Sequence, residues 1–273
     1  MEHLGPFAFN ALRFMLGALV LLPFIFRQRK ASPEAATRPL FNRRTILSGV
    51  IAGGVLFGGA SFQQIGIIST TAGKAGFITG LYVILVPLLG LFWKKRSRGE
   101  AWMGAVLAVL GLYLLSVTRE FTISYGDLLV LISAFFWAFH VQIIDGFVSH
   151  SHPLVLACLQ FAVCSILSGL FFLFTETTSW NAIYAAGIPI LYAGLFSTGV
   201  AYTLQVVAQR EAHPVHAAIL LSLESVFAVL GGWLLLSESL SERQLIGCAL
   251  MLGGMMASQL NVFPGARDAV SKK

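Results

Sequence analysis

Long apolar runs joined by short polar connections make up nearly the whole chain. The runs cover roughly Pro6–Phe26, Thr45–Ile68, Gly73–Trp93, Glu100–Thr118, Gly126–Ile144, Pro153–Phe174, Gly187–Ala208, Pro214–Leu236 and Arg243–Leu260. Each is close to the ~20 residues that a helix needs to cross about 30 Å of hydrocarbon. Continuous apolarity predicts helices, because barrel strands would be shorter and would alternate. The pattern predicts an all-α membrane protein with nine transmembrane helices. The longest connection, Arg27–Arg44, contains Pro33 and Pro39 and reads as a loop. Pro87 lies inside the third run, removes a backbone donor and is expected to kink it.

The hydrophobic pattern occurs twice. Sliding the sequence by 147 places His3, Pro6, Leu12, Phe14 and Phe24 on His150, Pro153, Leu159, Phe161 and Phe171. A slide of 142 places Gln63, Leu81 and Gly90 on Gln205, Leu223 and Gly232. At 143, Gly104, Leu107 and Gly111 meet Gly247, Leu250 and Gly254. A near-constant offset across three segments marks an internal repeat. The first repeat spans residues 1–119 and the second 120–273. The second opens with the span Gly126–Ile144, whose counterpart would lie upstream of Met1. An intact protein of ten helices is therefore expected, five per repeat, with a natural nine-helix protein as the alternative. An odd number per repeat gives the two halves opposite orientations, the arrangement of inverted-repeat transporters.

Composition supports residence in a membrane. The chain is 57% hydrophobic and 11% charged, against about 45–50% and about 25% in ordinary soluble domains. The net charge of +6 does not point to nucleic acid, because the basic residues are sorted by side. One alternate set of connections and the C-terminal tail carry fourteen Lys and Arg, the opposite set only Lys74, Arg119 and Arg243. The positive-inside rule puts the richer set, and the C-terminus, in the cytoplasm. The lysine and arginine run at 94–98 is then a cytoplasmic anchor. The first span lacks the basic start and the cleavage site of a signal peptide. Cys158, Cys164 and Cys248 all fall within spans, so a buried apolar role is expected rather than a disulfide framework.

Several motifs resemble the EamA family of the drug/metabolite transporter superfamily. Gly126-Asp127, followed by Ala134 and Trp137-Ala138, is similar to the opening helix of an EamA half. Leu223-Glu224-Ser225-Val226-Phe227-Ala228, then Glu238, Leu240-Ser241, Gln244 and Gly247, is similar to that family's closing signature. Ser225 stands where the family often has Pro. Arg13-Phe14 resembles the family's Arg-Phe pair. The resemblance implies a ten-helix inverted-repeat carrier in the cytoplasmic (inner) membrane. Such a carrier moves small molecules by alternating access, usually outward, through a cavity between its halves.

Seven residues are candidates to line that cavity. Glu224 lies about halfway along its span, where an ionised carboxylate costs about 2.5–3.5 kcal/mol on insertion scales and needs a cavity or a partner. A purely structural pairing is the alternative. Arg13 lies two turns inside its span, and its repeat mate Gln160 is also polar; snorkelling to the interface is the alternative. Gln63 and Gln205 are repeat mates whose amides must find partners, as substrate contacts or as interhelical bonds. Trp137 and His140 share a helix face by their spacing. Tyr82 is the repeat mate of Glu224. The pairs His213/His216 and His150/His152 lack further ligands at metal spacing and read as loop-end residues. Glycines at 49, 53, 54 and 58 have the small-xxx-small spacing of close helix packing.

These observations point to a secondary transporter exporting a small metabolite, amino acid or drug. Its partners would be a small-molecule substrate and the lipid bilayer, with a homodimer left open. No cofactor, metal or nucleic acid is called for. A non-transporting fragment or assembly partner is one rival. A membrane-embedded enzyme is another, against which no nucleophile elbow, zincin motif, P-loop or dinucleotide fingerprint is found.

Overall fold

The computed structural model describes residues 4–31, 41–70, 72–93, 99–116, 124–236 and 241–259. Among these, every regular element is helical. They are α1 (Pro6–Ala31), α2 (Arg43–Ile67), α3 (Ala72–Gly80), α4 (Tyr82–Phe92), α5 (Gly99–Ser116), α6 (Tyr125–Val148) and α7 (Pro153–Thr175). Then follow α8 (Trp180–Ala185), α9 (Gly187–Tyr192), a wider-wound π segment (Ala193–Tyr202), α10 (Thr203–Ala208), α11 (Pro214–Ser222), α12 (Glu224–Leu236) and α13 (Glu242–Gln259). His3, the basic run at 94–98, Arg119, Glu238, Leu240 and the C-terminal tail lie outside the described residues.

Six segments are long and apolar enough to cross a membrane, and Gly99–Leu115 and Pro214–Phe227 are shorter apolar helices. Helix starts follow local chemistry. Pro6, Pro153 and Pro214 open α1, α7 and α11, where a missing N–H costs no bond. The Asn42 side chain accepts from the Thr45 N–H at 2.7 Å, and the Ser179 hydroxyl from the Ala182 N–H at 3.2 Å. The third span is interrupted at Leu81, not at Pro87. Pro87 sits in the middle of α4, where its missing donor removes one backbone bond without ending the helix.

The chain forms two compact units, each drawing on both sequence repeats. Unit 1 comprises Met1–Ile68 and Gln142–Ala212; unit 2 comprises Ser69–Val141 and His213–Lys273. Helix α6 passes from one into the other.

In unit 1, α7 packs along α1 and α2. Gly49 and Gly53 of α2 allow this approach. A Cβ on Gly49 would stand 2.5 Å from the Leu159 Cβ, and one on Gly53 2.6 Å from the Val163 Cβ. Gly54 faces open space, so only part of the glycine pattern makes this contact. Between α1 and α7, the Ser165 hydroxyl donates to the Ala11 carbonyl at 2.8 Å, and the Cys158 thiol to the Ala18 carbonyl at 3.6 Å. The rising number on one helix matches a falling number on the other, so the two helices run antiparallel.

In unit 2, α5 and α13 cross at glycines. A Cβ on Gly104 would lie 2.6 Å from the Gly254 carbonyl oxygen, and one on Gly111 2.5 Å from that of Gly247. Around this crossing, Leu112 and Met251 are fully buried. All three cysteines are free; Cys158 and Cys164 are buried and Cys248 is half-buried.

Candidate functional site

Two spans of unit 2 are broken at matching places. Helix α3 ends at Gly80 and α4 begins at Tyr82; α11 ends at Ser222 and α12 begins at Glu224. A slide of 142 superimposes these boundaries. At the first break the Leu81 N–H bonds the Ile78 carbonyl at 3.2 Å, three residues back instead of four. At the second, the Leu223 N–H bonds the Leu220 carbonyl, also at 3.2 Å. Each is a single tightened turn. The Ile219 carbonyl, which an unbroken helix would offer to Leu223, accepts instead from the Ser222 hydroxyl at 2.7 Å. The position matching Ser222 in the first repeat is Gly80, which has no hydroxyl to offer.

The first residues after the breaks are Tyr82 and Glu224. Tyr82 is half-buried against a cluster that includes Val83, Val86, Ala138, Val141, Ala218 and Ile219. Ala138 and Val141 lie on either side of His140 along α6, so this cluster joins the first broken span to the α6 segment that carries two further candidates. His140 is buried, Trp137 is half-buried, and their rings meet edge to face at 6.2 Å. Glu224 is exposed, and no described residue forms a hydrogen bond or ion pair with its carboxylate.

The other three candidates belong to unit 1. Arg13 is 9% exposed, so described protein atoms enclose its side chain. Its Nε donates to Asn10 Oδ1 at 3.0 Å, and its guanidinium lies 4.6 Å from the Phe14 ring centre and 5.5 Å from that of Phe9. Among the described residues no carboxylate is within ion-pair distance of it. Its repeat mate Gln160 is fully buried. Gln63 and Gln205 are half-buried, and the Gln205 amide contacts Gln209 Oε1 at 3.4 Å.

Two acidic residues outside the candidate set prove to be anchors. Asp127 accepts from the Thr70 hydroxyl and from the Ser124 N–H at 2.8 Å, and lies 3.8 Å from Lys74 Nζ. The Ser124 hydroxyl accepts in turn from the Asp127 N–H, which closes a capping box at the start of α6. The Ser-x-x-Asp spacing was readable in the sequence; the partners Thr70 and Lys74 were not. Glu176 accepts from the N–H groups of Phe7 and Ala8 at 2.8 and 3.0 Å. It places a carboxylate at the positive end of α1 from far along the chain, and no sequence pattern signals it.

A family model described as the EamA-like transporter family matches residues 1–117 and again residues 124–258. The chain belongs to this family. An uncharacterized transporter of Archaeoglobus fulgidus is 34% identical over 96% of this chain and 79% of its own length. Transporter YoaV of Bacillus subtilis is 25% identical over 98% of this chain and 91% of its own. The threonine/homoserine exporter RhtA of Escherichia coli is 24% identical over 93% and 81%. A solved crystal structure superposes with a TM-score of 0.78 over 94% of this chain and 88% of that one. At 20% identity it supports the EamA chain's fold alone. Family, relatives and apolar helices together make this protein a multi-pass membrane transporter.

Proposed function

We propose that this EamA transporter exports a small polar metabolite by alternating access between two inverted repeats, with the paired breaks at Leu81 and Leu223 as part of its substrate path. The breaks carry the reading. Interrupted helices at corresponding positions of two repeats are the structural pointer to a transporter's binding site, and here the interruption is one tightened turn in each repeat. The antiparallel packing of α1 on α7 and of α5 on α13 supports an inverted repeat, since each pair consists of repeat-equivalent helices. Alternating access follows from such a pair of halves changing places about a fixed site.

Glu224 and Tyr82 are the proposed substrate contacts of the breaks, with His140 and Trp137 on the neighbouring α6 segment. Glu224 either binds a cationic group of the cargo or carries a proton. Arg13, a buried cation with only neutral described partners, supports an anionic group on the cargo. Gln63 and Gln205 are proposed as further polar contacts. Amino acids are the first class to test, because the similar protein RhtA is a threonine/homoserine exporter. The chain is placed in the cytoplasmic membrane with its C-terminus inside, from the distribution of basic residues.

Counterflow in proteoliposomes loaded with each common amino acid tests the cargo class. Accumulation of at least one labelled amino acid is expected. Failure with all of them would overturn the amino-acid assignment.

A further inference from the structure

We propose that unit 1 carries a site for one anionic phospholipid. A groove of about 260 Å³ opens between the first two turns of α2 and the end of α6. Arg44, Ser48 and His150 are its polar side chains, and Leu47, Ile51 and Phe147 its apolar wall; no carboxylate lines it.

The arrangement along α2 matches a lipid. Arg44, Leu47 and Ile51 recur at i, i+3 and i+7, so they share one helix face. At 1.5 Å per residue, Leu47 lies about 4.5 Å and Ile51 about 10 Å further along the axis than Arg44. The groove is thus basic at the helix end and apolar below it, as a phosphate and its upper acyl chain require. Leu47 is 57% and Ile51 40% exposed, so the apolar wall continues onto the outer surface of the helix. The groove has room for a headgroup, and the acyl chains would run on along that surface.

Charge favours an anionic headgroup. Arg43 is exposed beside Arg44. His152, just past His150, has its imidazole pKa held below the ordinary value, first by partial burial and then by the guanidinium of Arg210. The positive charge at this end of unit 1 is thus that of Arg43, Arg44 and Arg210, with His152 held towards its neutral form. Basic pockets between membrane helices bind anionic headgroups in this way. A free phosphate would use Arg44 and His150 but gain nothing from Leu47, Ile51 and Phe147. A lipid uses both. The inference needs only that α2 and α6 lie in a bilayer, not that the protein transports.

The purified chain in neutral detergent should be titrated separately with phosphatidylglycerol, phosphatidylcholine and glycerol 3-phosphate. Native mass spectrometry and thermal melting supply the readouts. One retained phosphatidylglycerol with a raised Tm is expected, weaker retention of phosphatidylcholine, and no shift with glycerol 3-phosphate. Arg44→Gln should weaken phosphatidylglycerol binding about fivefold. A Cβ on Gly146 meets nothing within 4 Å. Gly146→Leu should therefore fill the groove and abolish retention, with Tm in detergent alone unchanged. Equal retention of both lipids, or undiminished binding by both variants, would overturn the proposal. Stabilisation by glycerol 3-phosphate alone would overturn it too, in favour of a soluble-anion site.

Discussion

Phe14 and Phe161 face each other between α1 and α7, with ring centres 6.1 Å apart and both side chains fully buried. They are also repeat mates, since 147 separates them in the sequence. A residue that touches its own equivalent marks a local two-fold relation. The flanking bonds obey it: Ala11 is bonded by Ser165, the mate of Ala18, and Ala18 by Cys158, the mate of Ala11. The glycine crossing of α5 and α13 repeats the pattern, with Gly104 on Gly254 and Gly111 on Gly247.

Equivalence of the two phenylalanines predicts equal responses. Phe14→Ala and Phe161→Ala should each cost about 2–4 kcal/mol, at or below the usual cost in soluble cores because lipid supplies less transfer energy than water. The double variant should cost less than the sum, because the two rings share one contact. Unfolding in mixed detergent measures this, and strict additivity would count against a direct packing pair.

The glycine crossing should be intolerant of any side chain. Gly111→Ala and Gly247→Ala place a Cβ 2.5 and 2.8 Å from a backbone oxygen, so folded yield should fall sharply. Gly253→Ala, where nothing lies within 4 Å, should behave as wild type. Size-exclusion profiles of detergent extracts separate these outcomes.

Removing the Asp127 carboxylate deletes a capping box and the contact to Lys74 together. Asp127→Ala should lower stability by about 1–3 kcal/mol, and Lys74→Met by less than about 1 kcal/mol. Thermal melting of both variants checks the order; an equal or larger loss for Lys74→Met would show that the ion pair outweighs the cap.

Much of this was legible in the sequence because lipid enforces a simple rule. Apolar runs of about twenty residues must close their backbone bonds internally, so span positions and the repeat offsets could be read directly. The breaks at Leu81 and Leu223 could not. No proline marks either residue, Gly80 adjoins only the first, and Pro87, the visible breaker, lies within a helix. The grouping of helices into units that mix both repeats was likewise hidden, because periodicity reports a helix face and not its neighbour. Of the candidate residues, Trp137 and His140 share a face as their spacing required. Glu176 shows the limit most clearly: its role depends on Phe7 and Ala8, far away in the chain.

Orientation can be read in a background without the native cysteines. Ser149→Cys, in an exposed connection of the basic set, should resist a membrane-impermeant maleimide in intact cells. Thr177→Cys, exposed in the opposite set, should react. The reverse pattern would invert the topology.

Glu224 offers the sharpest test of transport through the paired breaks. Glu224→Gln keeps shape and most hydrogen-bonding capacity while removing the charge. Extracellular metabolites should be compared among cells carrying the wild-type chain, this variant and no protein, with membrane abundance measured alongside. At least one small polar metabolite should rise in the medium with wild type and return to the no-protein level with Glu224→Gln, at similar abundance. Undiminished export by Glu224→Gln at similar abundance would contradict a substrate path at these breaks.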